Sequence, residues 1–371
     1  MSTVREGIRW HLIESVRGRY NFSSAQRILH AAEKEHVQII WDLLHFGWPD
    51  HVDVFSPDFV SQFTEFAGAF ARFLKQETNE VPFVAPVNEI SFLAWGGGDV
   101  AYINPFAFGR GNELKRQAVR AAAGASGAVL RELPHARLAT IEPVIHITGD
   151  SANPEDVKQA AEYTSSMFEA WDMLSGKTHP ELGGKPEYLD VIGVNYYGRN
   201  QWWNYGKTIW RHEPEYRPFR EILADVYQRY RRPMFVSETG AEDEERPGWF
   251  AYVADEVQAA MQAGVELHGI CLYPILNNPG WDDDRHCRNG LWDYPGPRGE
   301  REIYKPLAEE LSRRKASERE IYGNSTSTSL TPPDGIAAGP GVSVSSAVEF
   351  RLSAPATSDE PLRAEPAGVL Y

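Results

Sequence analysis

The chain has 371 residues, a formal charge of -15 at neutral pH and a pI near 5.2. That acidic balance argues against nucleic acid and other polyanions as partners, because a basic footprint is what holds phosphates. With 42% hydrophobic residues, 11 Trp and 16 Tyr there is material for one large core, and the length suits a single α/β barrel of ~250 residues with additions.

From the N-terminus, apolar runs rich in β-branched and aromatic residues alternate with amphipathic stretches, the pattern of repeated βα units around a parallel sheet. GIRWHLI from Gly7 reads as the first strand, followed by a helix over 24–35. VQIIWDLL from Val37 leads into a helix over 57–77, and PFVAPVNE from Pro82 into one over 113–133. RLATIEPV from Arg137 precedes a helix over 154–175, LDVIGVNYYG from Leu189 one over 217–230, and PMFVSETG from Pro233 one over 248–263. ELHGICLYPI from Glu266 is the seventh strand candidate. Several helices open on Ser, Asp or Pro, as helix N-termini prefer. The small-residue stretch AAAGASGAV in the third helix suits close helix packing more than a ligand.

The expected fold is α/β, a (β/α)8 TIM barrel whose strand count is short by one βα unit. Either a strand lies upstream of Met1, or the chain is a genuine truncation whose open edge something else must cover. After Glu320 the composition turns to Ser, Thr, Pro and Gly, so residues 1–320 are expected to form strands two to eight of the barrel and 321–371 a disordered tail. The flanks of the apolar island VSVSSAVEFRL, from Val342, argue against its forming a strand.

Cys271 and Cys287 are too few for a disulfide framework and lack zinc spacing, so both read as reduced thiols. The opening MSTVREGIRW has no apolar core of a secretory signal, and nowhere do eighteen apolar residues run together; a cytoplasmic protein without a membrane segment is expected.

In α/β barrels the catalytic groups come from the C-terminal ends of strands. Two of those ends carry glutamates, Glu89 in Val87-Asn88-Glu89 and Glu238 in Ser237-Glu238-Thr239-Gly240. A carboxylate at the tip of an apolar strand is costly to desolvate unless it is paired, hydrogen-bonded or needed. Two such tips face one mouth, the arrangement glycoside hydrolysis requires: one carboxyl protonates the leaving oxygen and the other attacks the anomeric carbon.

Taken in order, these segments resemble glycoside hydrolase family 1 of clan A, the β-glucosidase group, over roughly residues 5–312. Counting the missing strand as one, the resemblance puts Asn88 and the acid/base Glu89 on strand four and the nucleophile Glu238 on strand seven. LDVIGVNYYG is similar to the family's strand-six segment, which implies that Asn195 and Tyr197 line the site and that the Tyr197 hydroxyl supports the nucleophile. REGIRW implies that Arg5 orients the nucleophile, LLHFGWP that His45 binds sugar hydroxyls, and Asn88 would hold the hydroxyl next to the reacting carbon. In YPILNNPGW the matching positions are Tyr273, Gly280 and Trp281, with Gly280 standing where the family has a sugar-gripping Glu. Asp282 or Asp283 is the candidate replacement acceptor.

The resulting expectation is a retaining glycoside hydrolase acting on a β-linked glycoside, its partner a small carbohydrate or glycoside. No cofactor, no metal, no nucleic acid and no membrane are expected, and a homo-oligomer is left open. The rival readings are a sugar-binding pseudoenzyme and a transglycosidase on the same barrel. The run from Trp281 to Cys287 and the strand histidines His45, His146 and His268 lack the spacing of a metal motif. Trp95, Trp202, Trp203 and Trp210 fall in long loops, where rings stack on sugar faces or simply pack.

Overall fold

A computed structural model of the chain describes residues 3–280, 285–322 and 351–352. Its strands are β1 (Thr3–Gly7), β2 (Gln38–Asp42), β3 (Phe83–Ala85), β4 (Arg137–Pro143), β5 (His146–Thr148), β6 (Val191–Asn195), β7 (Gln201–Trp203), β8 (Met234–Thr239), β9 (Leu267–Leu272) and β10 (Arg351–Leu352). Eight of them form one parallel sheet in the order β1-β2-β3-β4-β6-β8-β9-β10. Seven of these strands form a nearly closed TIM barrel, while β5 and β7 pair separately. β6 and β8 are buried at every position, as strands covered on both faces must be, and for that reason their sequences show no polar alternation.

The barrel interior is filled by Ile40, Ala85, Ala139, Ile141, Val191, Phe235 and Cys271, contributed strand by strand. Outside it lie α1 (Trp10–Ile13), α2 (Ser23–Lys34), α3 (Asp58–Glu77), α4 (Ile90–Phe92), α5 (Gly111–Glu132), α6 (Pro154–Ser166), α7 (Glu169–Leu174), α8 (Phe219–Tyr230), α9 (Glu245–Gln262) and α10 (Lys305–Tyr322). α3 turns Phe59, Phe63, Phe66 and Phe70 onto the sheet. α5 lies close against α3 at Gly124, where a Cβ would sit 2.3 Å from Thr64 Oγ1, so the small-residue stretch serves helix packing. None of the helices among the described residues is long and apolar enough to cross a membrane.

Six of the seven strand candidates contain strands, the first is displaced, and there are three differences from the sequence reading. The first strand ends at Gly7 instead of starting there, and Trp10–Ile13 forms a helical turn. Its apolar residues belong to the outer core, with Trp10 stacked on Phe66 at 5.1 Å between centroids. The helix expected over 154–175 is broken at Met167 and Phe168 into α6 and α7. Finally, the end of the apolar island forms a strand after all: β10 pairs in parallel with β9 through Arg351↔Cys271 and Leu352↔Leu272, and it lies against β1.

β10 therefore occupies the eighth position, between the first and last strands of the seven. Truncation after Tyr322 removes it and bares two sheet edges. At ~1 kcal/mol per lost ladder hydrogen bond, the truncated protein is expected to melt ~4 °C or more below the full chain. Differential scanning calorimetry of both proteins checks this, and equal midpoints would contradict closure by β10.

Candidate active site

The candidate residues converge on the C-terminal mouth of the barrel. Beyond β3 the chain runs on beside β4, bridged at Asn88↔Ile141, and presents Glu89. Glu238 is the penultimate residue of β8. Both are buried, Glu89 5% and Glu238 6% exposed.

Arg5, on β1 and 2% exposed, joins most of the site. Its Nη1 donates to Glu238 Oε1, while Nη2 donates to Asp42 Oδ2 at 2.6 Å and to Asn88 Oδ1. A buried charge needs this degree of pairing, since desolvation of an isolated ion costs several kcal/mol. Tyr197 completes the cradle of Glu238, its hydroxyl donating to Oε2 at 2.9 Å. Glu89 is held separately. Asn195 Nδ2 donates to its Oε1 at 2.8 Å, and Asn195 is itself oriented by Ser237 Oγ, which donates to Oδ1 at 2.6 Å. His45 closes the ring: its Nδ1 lies 3.1 Å from Asp42 Oδ2 and its Nε2 3.4 Å from the Asn88 amide.

Burial and neighbouring charge shift several of these groups. Burial, then the negative charge of Glu238, then that of Glu142 push Glu89 well above the usual carboxylate range, against the opposing effects of the Asn195 hydrogen bond and Arg5. Burial alone would raise Asp42 as well, but Arg5 and His45 outweigh it and hold Asp42 low. Burial and the charge of Glu238 raise the Tyr197 and Tyr273 phenols far above their ordinary value, so both stay neutral donors. The same coupling to Glu238 and Glu89 places Tyr273 at the pair.

Of the ten residues singled out from sequence, Arg5, His45, Asn88, Glu89, Asn195, Tyr197, Glu238 and Tyr273 come together here. Trp281 and Asp282, like Asp283, lie outside the described residues. His146 sits on β5, outside the barrel sheet, and His268 pairs with Glu266 at 3.0 Å. Trp202 is buried edge-on to Tyr163, a packing role, whereas Trp210 is exposed. A cavity of about 670 Å3 is lined by Ser91, Phe92, Trp95, Tyr163 and Met167, but neither glutamate reaches it. Rim residues of this cavity are already paired, Lys115 with Glu169 and Arg116 with Glu181, each at 2.6 Å. Among the described residues no group of three or more His, Cys, Asp or Glu gathers as metal ligands would.

Sequence reasoning passed over Asp42, Ser237 and Glu142. Asp42 and Glu142 carry the signal that singled out Glu89 and Glu238, a carboxylate at the end of an apolar strand. Ser237 has no such signal, being a small hydroxyl whose importance depends on Asn195, 42 positions away.

The fold and its mouth define a TIM barrel with two buried, differently held carboxylates. The structure is similar to the family 1 β-glucosidase from Thermotoga maritima, with a TM-score of 0.70 at 16% identity over 85% of this chain and 83% of that one. The β-glucosidase of the same organism in complex with glucoimidazole gives the same values, and its complex with a galacto-hydroximolactam a TM-score of 0.68. At this identity the likeness is one of fold. β-Glucosidase 1B of Phanerodontia chrysosporium is 30% identical over 93 residues, 21% of this chain, and the chain spans 17% of that curated relative's length. No family model matches the sequence.

Proposed function

We propose that the chain is a retaining glycoside hydrolase of the family 1 type, acting on a β-linked glycoside, with Glu238 as nucleophile and Glu89 as acid/base. The observation that carries this reading is the asymmetry of the pair. Glu238 accepts from Arg5 and Tyr197, while Glu89 is paired with no cation among the described residues and holds its proton to unusually high pH. A carboxyl group that keeps its proton suits the acid, and one cradled by two donors suits the nucleophile. The barrel likeness to β-glucosidases supports the substrate class.

In the first step the Glu238 carboxylate attacks the anomeric carbon. The glycosidic C–O bond breaks as the Glu89 proton passes to the leaving oxygen, giving a glycosyl ester on Glu238. In the second step Glu89, now a carboxylate, takes a proton from water, whose oxygen attacks the same carbon and frees Glu238. A sugar hydroxyl in place of water gives transglycosylation.

Activity is expected to fall as pH rises through the elevated titration of Glu89, because the first step needs its proton. A panel of 2-fluoro β-glycosides with activated leaving groups tests the reading: mass spectrometry should find one glycosyl unit on the peptide containing Glu238. A folded protein with neither adduct nor turnover on any sugar overturns it and leaves a sugar-binding protein.

A further inference from the structure

We propose that Glu142 is the positioning residue of the acid/base, holding Glu89 in its left-handed backbone conformation by accepting the two backbone amides that follow it. This inference rests on the assignment of Glu89 proposed above. Glu89 has φ 44° and ψ 63°, a region that costs an L-residue with a side chain ~1 kcal/mol or more. Such a conformation persists only where its surroundings over-determine it. Here three consecutive amides are tied to two consecutive residues of β4: Glu89 N donates to Ile141 O at 3.0 Å, Ile90 N to Glu142 Oε1 at 2.7 Å, and Ser91 N to Glu142 Oε2 at 3.0 Å. The turn that aims Glu89 is thereby locked to the strand beside it.

An ionised carboxylate suits this task as a neutral side chain does not. It offers two acceptor oxygens to two diverging donors, whereas an amide offers one, and charge-assisted hydrogen bonds are the stronger kind. Glu142 is 2% exposed. Facing it are Glu89 and, from α5, Lys115, which is paired with Glu169 of α7; Val194 opposite it on β6 brings no charge. Burial pushes Glu142 up to about 7, opposed by Ser91, Lys115 and Ile90. Its charge in turn is one of the influences that raise Glu89. Acidification through neutrality therefore protonates one oxygen, releases one amide and weakens the hold on Glu89.

The test compares Glu142→Gln and Glu142→Asp with the natural protein. Gln keeps one acceptor and loses the charge: kcat is expected to fall ~10-fold with KM within twofold, and the basic limb of the kcat/KM profile to move to lower pH. Asp keeps the charge but not the reach, so kcat falls while the basic limb stays. Independently of turnover, the 15N-labelled amides of Ile90 and Ser91 should titrate near pH 7 in the natural protein and stop doing so in Glu142→Gln. Amides that titrate alike in both proteins overturn the proposal. So do amides of the natural protein that do not titrate, or a Gln variant with unchanged kcat and limbs. A chain with no turnover on any glycoside but with the amide titration intact refutes the hydrolase reading and leaves the clamp standing.

Discussion

Glu238→Gln is expected to lower kcat ~10^5-fold on any glycoside the protein hydrolyses, equivalent to ~7 kcal/mol of barrier. Gln preserves the side-chain shape and an oxygen to accept from Arg5, so folding and sugar binding should change little. What disappears is the anionic nucleophile at the anomeric carbon, and with it the covalent route. The neighbouring acid responds too. The charge of Glu238 is the second-largest influence holding the proton on Glu89, so Glu89 in the variant should release it at lower pH. Steady-state kinetics, the anomeric configuration of the first-formed product by NMR, and loss of the 2-fluoro adduct check the three parts. A variant within tenfold of the natural protein places the attack elsewhere, and an inverted product assigns Glu238 the role of base for water.

How much of this was legible in the sequence depends on how local each signal is. The strands were readable because a parallel strand buried on both faces is a short apolar run, and β4, β6 and β8 are buried almost throughout. The error at Trp10–Ile13 has the same origin, since an apolar run that caps the outer core looks like one that enters the sheet. Strand-end carboxylates were readable as well, though Asp42 and Glu142 met the same criterion and went unused. Pairings between distant segments were legible through the family resemblance alone, which implied that Arg5 and Tyr197 serve Glu238; the residues themselves carry no such signal. Arg5 and Glu238 lie 233 positions apart, and only barrel closure brings them together. The closing strand was hidden for another reason: Arg351 and Leu352 follow a segment whose composition argues for no structure at all.

The departure in YPILNNPGW, the segment after β9, bears on specificity more than on chemistry. Gly280 carries no side chain, so that position lacks the carboxylate acceptor that the family resemblance implies. A site that hydrogen-bonds a substrate hydroxyl rejects its absence strongly, and one lacking that partner does not. On the reading proposed here, the reacting groups are assembled from buried residues, while the candidate replacement acceptors Asp282 and Asp283 lie outside the described residues.

Arg5→Ala is expected to damage stability and catalysis together. The guanidinium is the one cation bonded to both Glu238 and Asp42 among the described residues, and both are buried. Removing one member of a buried ion network leaves uncompensated charge and costs ~3–5 kcal/mol, a fall in Tm of ~6 °C or more. Activity should drop ~10^2-fold or more, since Glu238 and Asn88 lose the donor that aims them. Arg5→Lys keeps the charge, but one ammonium cannot reproduce a planar fork serving Glu238 on one side and Asp42 with Asn88 on the other, so an intermediate loss is expected. The pH dependence separates charge from packing. In the natural protein the folded titration of Asp42 is depressed, so its contribution is present above the unfolded value and lost as pH falls through the folded one. Without Arg5 burial dominates and the folded titration of Asp42 rises above the unfolded value; the variant then regains stability on acidification, as the buried carboxyl takes up a proton. The gap in Tm between the two proteins should therefore narrow from pH 7 to pH 5. A gap constant across that range would assign the loss to the missing side-chain volume, and the role of Arg5 as counter-charge would fall.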